Sequence, residues 1–221
     1  MDKVKLLDES LARFDEMDDE SRKIIINSSY FATLKEKEQL MSGQAGCLGL
    51  VIVDSGSLRV FINNKENREV TLYNLYQYDV CVFSATCVLQ DITFNVSIEA
   101  NEETQILVIP STIFRKVLKQ SLIFSNFFVR AMSAAVSDTL HVLHDVTFSS
   151  VEKRLASYII DNNIDDNITF TQEKIANDIG TSREVITRQL KKFENEGLVE
   201  VSRGCIHIKD YDTLDELSEK E

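Results

Sequence analysis

The segment TQEKIANDIGTSREVITRQLKKFENEGLVEVSRGCIHIK, residues 171–209, leaves little freedom in how it can fold. The Thr171 hydroxyl can cap a helix whose first turn holds Glu173 and Lys174. Ile175, Ala176 and Ile179 then form an apolar face, and small Ala176 lets a second helix cross closely. Gly180 can take a positive φ and end the helix. Thr181 or Ser182 caps a second helix, in which Val185, Ile186, Leu190 and Phe193 recur at helical spacing as a buried stripe. The opposite face carries Arg183, Glu184, Thr187, Arg188, Lys191 and Lys192. After Gly197, Leu198, Val199 and Val201 predict a strand, Ser202-Arg203-Gly204-Cys205 a turn, and Ile206 to Ile208 a returning strand. Two short helices about a glycine turn, followed by a β-hairpin, read as a winged helix-turn-helix.

The polar face of the second helix suits duplex DNA. An arginine can donate two hydrogen bonds to guanine O6 and N7, and a glutamate can accept from cytosine N4. Arg183, Glu184 and Arg188 put such groups on this face. Thr171, Ser182, Thr187, Lys191, Lys192 and Arg203 are candidates for the phosphate backbone, which positions without specifying. The plainer alternative is a helical pair with an ordinary charged surface.

Charge argues the other way only when taken over the whole chain. The 221 residues carry a formal net charge of −12, and DNA affinity rests largely on cations at phosphates. Residues 171–209, however, hold seven Lys/Arg against six Asp/Glu. The acidic excess lies in the N-terminal segment and after Asp210. A roughly neutral reading head on an acidic body predicts modest, salt-sensitive non-specific affinity. The chain has no long apolar run, and its charged N-terminus does not read as a secretory signal, so no membrane and a cytoplasmic location are expected. Four cysteines at 47, 81, 87 and 205 form no CxxC pair, which excludes a zinc ribbon and predicts free thiols.

Upstream, residues 1–34 read as short helices, with Leu7, Leu11 and Phe14 on one face. From Glu38 to Pro110 short apolar and β-branched runs alternate with turn signals such as Asp54-Ser55-Gly56 and Asn63-Asn64, the texture of a sandwich or barrel. Residues 111–147 read as helix. Val129, Met132, Val136, Thr139 and Leu143 step 3, 4, 3, 4, flanked by Phe128 and Leu140, the apolar seam of a helix that pairs with a partner or, in the plainer reading, packs as a core helix within one subunit. The dimerisation candidates are Val129, Met132, Val136, Leu140 and Leu143. A two-fold dimer would set two recognition helices about 34 Å apart on a palindrome.

Ser182-Arg183-Glu184-Val185-Ile186-Thr187-Arg188 resembles the recognition-helix signature of the CRP/FNR family of bacterial transcription regulators, a helix that enters the major groove, and the resemblance implies Arg183, Glu184 and Arg188 as the base-reading residues. Val151-Glu152-Lys153-Arg154-Leu155-Ala156 is similar to the helix that opens that family's DNA-binding domain. Val51 to Val60 resembles the glycine hairpin of its β-roll, and Ile109-Pro110-Ser111 the exit from that roll into helices. The resemblance implies an α+β chain: an N-terminal cyclic-nucleotide-binding-like β-roll over 1–120, a long dimerisation helix and hinge over 121–147, and a winged helix-turn-helix over 148–221. It implies a homodimer that regulates transcription from a palindromic operator, with RNA polymerase as a further partner, and no enzyme activity.

The effector is not legible by the same route. Cyclic-AMP binders of the family use a Gly-Glu-Leu loop and an Arg-Ser/Thr pair. The stretch from Asp79 to Phe94 has no Gly-Glu, and no arginine occurs from 69 to 114, so a buried phosphate would lack a cation. An N-terminal cysteine cluster for an iron–sulfur centre is absent too, since the first cysteine is Cys47. Cys81 and Cys87 remain the candidate effector or redox residues, with His141 and His144 on the long helix. No cofactor or metal is expected. A redox or haem-binding sensor or enzyme built on those cysteines, and a protein-interaction module, are the alternatives; a small apolar or aromatic effector also fits.

Overall fold

A computed structural model describes residues 2–40, 48–63, 69–88, 96–164, 166–202 and 204–219; the side chains of 86–88 are outside it. The chain divides into two units, residues 1–63 with 72–139, and residues 64–71 with 140–221.

In the first unit, α1 (Lys3–Ser10) and α2 (Asp19–Ser28) are each capped by an aspartate. Asp2 accepts from the Val4 amide and Asp18 from the Ser21 amide, filling donors that a helix start leaves open. The strands follow as β1 (Tyr30–Leu34), β2 (Gln39–Leu40), β3 (Gly49–Ser55), β4 (Leu58–Asn63), β5 (Glu69–Leu75), β6 (Val80–Cys81), β7 (Val96–Ala100) and β8 (Thr104–Pro110). They form two four-stranded sheets, ordered β1-β8-β3-β6 and β2-β7-β4-β5. The expected β-roll is therefore present, but it begins at β1, inside the 1–34 stretch read as short helices, because Tyr30 to Leu34 pair in register with β8. Gly56 makes its β3–β4 hairpin possible: φ is +79°, and a Cβ there would lie 2.6 Å from Thr104 Oγ1. Alternation along paired strands builds the core. Leu58 and Val60 on β4 face inward with their register partners Ala100 and Ile98 on β7.

Pro110 leads into α3 (Ser111–Gln120), and α4 (Leu122–Phe148) follows after Ser121. Phe114 of α3 meets Phe124 and Phe128 of α4 edge-on, at centroid distances of 5.6 and 4.9 Å. This contact fixes the rotation of α4. Phe124, Phe128 and Ala135 are buried, and Met132 packs half-buried against the same core. The exposed apolar stripe is Val129, Val136, Leu140 and Leu143, at 61%, 47%, 56% and 59% exposure. Ser133, exposed, completes its 4, 3, 4, 3 stepping. Met132 and Thr139, the other two steps of the expected seam, are half-buried, Met132 packing against the core cluster.

The second unit contains α5 (Val151–Asp161), β9 (Asn167–Ile168), α6 (Gln172–Asp178), α7 (Arg183–Asn195), β10 (Val199–Ser202), β11 (Cys205–Ile208) and α8 (Tyr211–Glu219). Its core joins Leu155, Ala156 and Ile159 of α5 to Ile175 and Ala176 of α6 and to Ile186, Leu190 and Phe193 of α7. Leu214 of α8 closes it. Among the described residues no helix is long and apolar enough to cross a membrane.

Candidate nucleic-acid interface

The two helices of the reading head are set by local chemistry. Thr171 caps α6, its hydroxyl accepting from the Lys174 amide at 3.2 Å. At the other end the Thr181 amide donates to the Ala176 carbonyl at 2.8 Å, across Gly180 at φ +68°. That bond is the long closure of a Schellman motif, which requires a left-handed residue at this point. Tyr158 of α5 donates to Asp178 Oδ2 at 2.9 Å, and Lys174 lies 3.2 Å from the same oxygen, so α6 is pinned to α5. Substituting Gly180→Ala should therefore lower the thermal midpoint, at a cost of about 1–3 kcal/mol from a strained φ. Calorimetry of the purified variant checks this.

α7 starts at Ser182, whose carbonyl accepts from the Val185 and Ile186 amides. The Ser182 hydroxyl makes no backbone cap and instead bonds to Glu184. Glu184's own backbone amide, followed by that hydroxyl and by Arg183, holds its carboxyl below the usual range. At neutral pH Glu184 is thus an acceptor only. Ile186, Leu190 and Phe193 are buried as expected, whereas Val185 is half-buried. Arg183, Glu184, Thr187, Arg188, Lys191 and Lys192 are all exposed along the opposite side.

The exposed groups are not equivalent. Among the described residues the side chains of Arg183, Arg188 and Lys191 have no ion-pair partner, while Lys192 lies 2.8 Å from Glu152 and 3.9 Å from Glu196. The Glu152 carboxylate raises the Lys192 pKa, so Lys192 reaches a phosphate only by leaving that pair. The Thr187 hydroxyl sits 2.7 Å from Gln172 Oε1 and 2.9 Å from the Arg183 carbonyl, sharing its one proton between them. Gln172 carries no sequence signal for this role, because the partner lies on the other helix.

Beyond α7, the Leu198 amide returns to the Phe193 carbonyl at 2.9 Å across Gly197. β10 and β11 then pair antiparallel from Val199↔Ile208 to Ser202↔Cys205, and β9 adds a third strand beside β11. This is the wing. Gly204 at its tip has φ +80°; Arg203 lies outside the described residues.

On the sensor side, Cys81 is fully buried, and burial pushes its thiol up to about 11 against the opposing bonds from Ser84 and Phe83. Thiolate is the reactive form, so Cys81 should resist iodoacetamide in the native protein while half-buried Cys205 is alkylated; peptide mass mapping before and after unfolding checks this. The Cys87 side chain is outside the described residues. His141 and His144 are exposed, and the His144 ring lies tilted beside Phe148 at a centroid distance of 5.3 Å. No group of three or more His, Cys, Asp or Glu among the described residues is placed to hold a metal ion. The β-roll does bury a cation that the 69–114 window passes over: Arg59, 3.3 Å from Glu99 on the paired strand and 4.1 Å from the centre of the Phe61 ring.

The arrangement agrees with comparisons to known proteins. A family model of the cyclic nucleotide-binding domain matches residues 33–121, and one of the Crp-like helix-turn-helix domain matches 153–217. A transcriptional regulator of the CRP/FNR family from Eubacterium rectale is 35% identical, with 94% of this chain and 97% of that one covered, at a TM-score of 0.88. The chain belongs to the CRP/FNR family. This CRP/FNR protein is a DNA-binding transcription regulator and not an enzyme. Two more distant structures share the fold. The c-di-GMP-responsive global regulator CLP of Xanthomonas campestris is 16% identical over 86% of this chain and 99% of its own, at TM-score 0.73. A CooA variant from Carboxydothermus hydrogenoformans is 21% identical over 96% and 97%, at 0.67. No curated sequence matches the chain.

Proposed function

We propose that this CRP/FNR regulator acts in the cytoplasm as a homodimer on a palindromic operator, with residues 1–120 as sensor, 121–147 as dimerisation helix and hinge, and 148–221 as DNA reader. The observation that carries the DNA reading is the exposed face of α7. Among the described residues Arg183 and Arg188 stand without ion-pair partners beside an ionised, pre-oriented Glu184, in the geometry of a recognition helix. Lys191, with Thr171, Ser182, Thr187, Lys192 and Arg203, would position the head on phosphates.

The dimer reading rests on α4. Its exposed stripe is continuous with an apolar groove of about 670 Å³ lined by Leu118 of α3 and by Phe128, Val129, Met132 and Val136 of α4. An apolar face of that length on a water-exposed helix calls for a cover, and a second copy of α4 supplies a self-complementary one. RNA polymerase is the further partner of a regulator of this kind.

The effector is proposed to be something other than cyclic AMP. The segment from 69 to 114 offers no arginine, and Arg59 is already committed to Glu99. Selection from random duplex DNA by the purified protein, in air and under reducing anaerobic conditions, tests the whole reading. A two-fold symmetric motif supports it, and enrichment under one atmosphere alone points to a redox signal. No enrichment under either condition, with cyclic AMP restoring it, would overturn the effector reading.

A further inference from the structure

The last carbonyls of a helix have no intrahelical donor and carry the negative end of its dipole. Two such ends meet at one side chain in the second unit. α4 closes at Phe148 and α6 at Asp178, and Arg154 in the first turn of α5 reaches both. Its Nε–H donates to the Ile179 carbonyl at 3.0 Å and its Nη1–H to the Asp145 carbonyl at 2.9 Å, with Nη1 also bonded to the Ser149 carbonyl. Asp145 thereby serves two donors, because its carbonyl also takes the Ser149 amide at 3.1 Å.

An independent packing contact joins the same two segments. A Cβ added at Gly180 would lie 2.8 Å from Val146 Cγ2, so the turn after α6 sits against the last turn of α4 closely enough that a side chain at 180 would displace Val146. Partial burial lowers the Arg154 pKa, with Asp145 opposing, and the guanidinium still stays charged in any accessible pH. A rigid fork can hold three carbonyls at fixed angles; a lysine ammonium on a flexible stem cannot.

We propose that Arg154 is a positioning residue for operator recognition. It locks the end of α4, the α4–α5 connection at 149–150 and the helix-turn-helix into one body, so that α7 is presented at a set distance and angle from the end of the dimerisation helix. The inference rests on the dimeric reading proposed above. Its consequence is spacing selectivity: a dimer with clamped heads accepts one half-site separation, and one with loose heads accepts several.

The test uses full-length wild type, Arg154→Gln and Arg154→Lys, with two readouts. In DNA-free protein, hydrogen exchange of the amides at 145–150 should quicken about tenfold or more in Arg154→Gln, the worth of one charge-assisted hydrogen bond. Exchange in the β-roll should stay as in wild type, and Arg154→Lys should not restore protection at 145–150. In titrations against the selected palindrome and versions with one or two central base pairs added, wild type should discriminate. Arg154→Gln should lose about tenfold of that discrimination while binding a single half-site as before. Unchanged exchange at 145–150 overturns the clamp. So does an equal loss across all spacings and the half-site, which a merely destabilised head would give. If wild type shows no preference for a palindrome, the dimeric reading fails instead, and the exchange measurement alone decides the clamp.

Discussion

Arg183→Ala is expected to lower sequence selectivity while leaving the fold and the general affinity for DNA in place. The side chain is exposed and without an ion-pair partner among the described residues, so its loss opens no cavity and strands no buried charge. A bidentate arginine–guanine pair is worth about 1–3 kcal/mol of discrimination, and a dimer loses it at both heads. Titration against the selected operator should show a fall of roughly 5- to 150-fold per head, with non-specific binding and its salt slope unchanged. Lys191→Ala should do the reverse. It should weaken binding to every sequence alike and lower the salt slope by about one. Equal operator affinity of wild type and Arg183→Ala would exclude direct readout by α7.

The second large effect is at the exposed stripe of α4. Leu140→Glu or Leu143→Glu places a carboxylate where a partner helix should cover an apolar side chain. Both residues are more than half exposed in the single chain, so the fold itself has no reason to suffer. If a second copy covers them, an unpaired charge is buried on each side of the two-fold axis. Association should then weaken about 100-fold or more, a few kcal/mol. Sedimentation should show dimer for wild type and monomer for the variants at micromolar concentration, and operator affinity should drop with it. A variant that stays dimeric would move the interface elsewhere. Phe124→Ala serves as the contrast: this side chain is buried in its own core, so its main expected effect is on stability.

Much of the reading head is legible in the sequence because its signals are local. Thr171 caps three residues ahead, Gly180 and Gly197 take the left-handed turns, and Ile186, Leu190 and Phe193 repeat with the helix period. The Gly56 hairpin is legible for the same reason. α4 is harder, since it is apolar on two sides. Phe124, Phe128, Met132 and Ala135 face the core while Val129, Val136, Leu140 and Leu143 face out, and periodicity alone cannot separate the faces. Thr139 fits the heptad count yet spends its hydroxyl on the Ala135 carbonyl at 2.8 Å. α8 hides in an acidic tail because few of its residues reach the core, Leu214 foremost. The contacts of Gln172 with Thr187, of Arg59 with Glu99, and of Arg154 with three carbonyls join residues distant in the chain, and no local pattern announces them.

The central claim is that two copies of α7 read two symmetric half-sites. Hydroxyl-radical footprinting of the wild-type protein on its selected operator tests it most directly. The account predicts two protected windows related by two-fold symmetry, with centres about one helical turn, roughly 10 base pairs, apart. A single asymmetric window, or a symmetric pair that persists unchanged in Arg183→Ala at concentrations below its expected affinity, would contradict it.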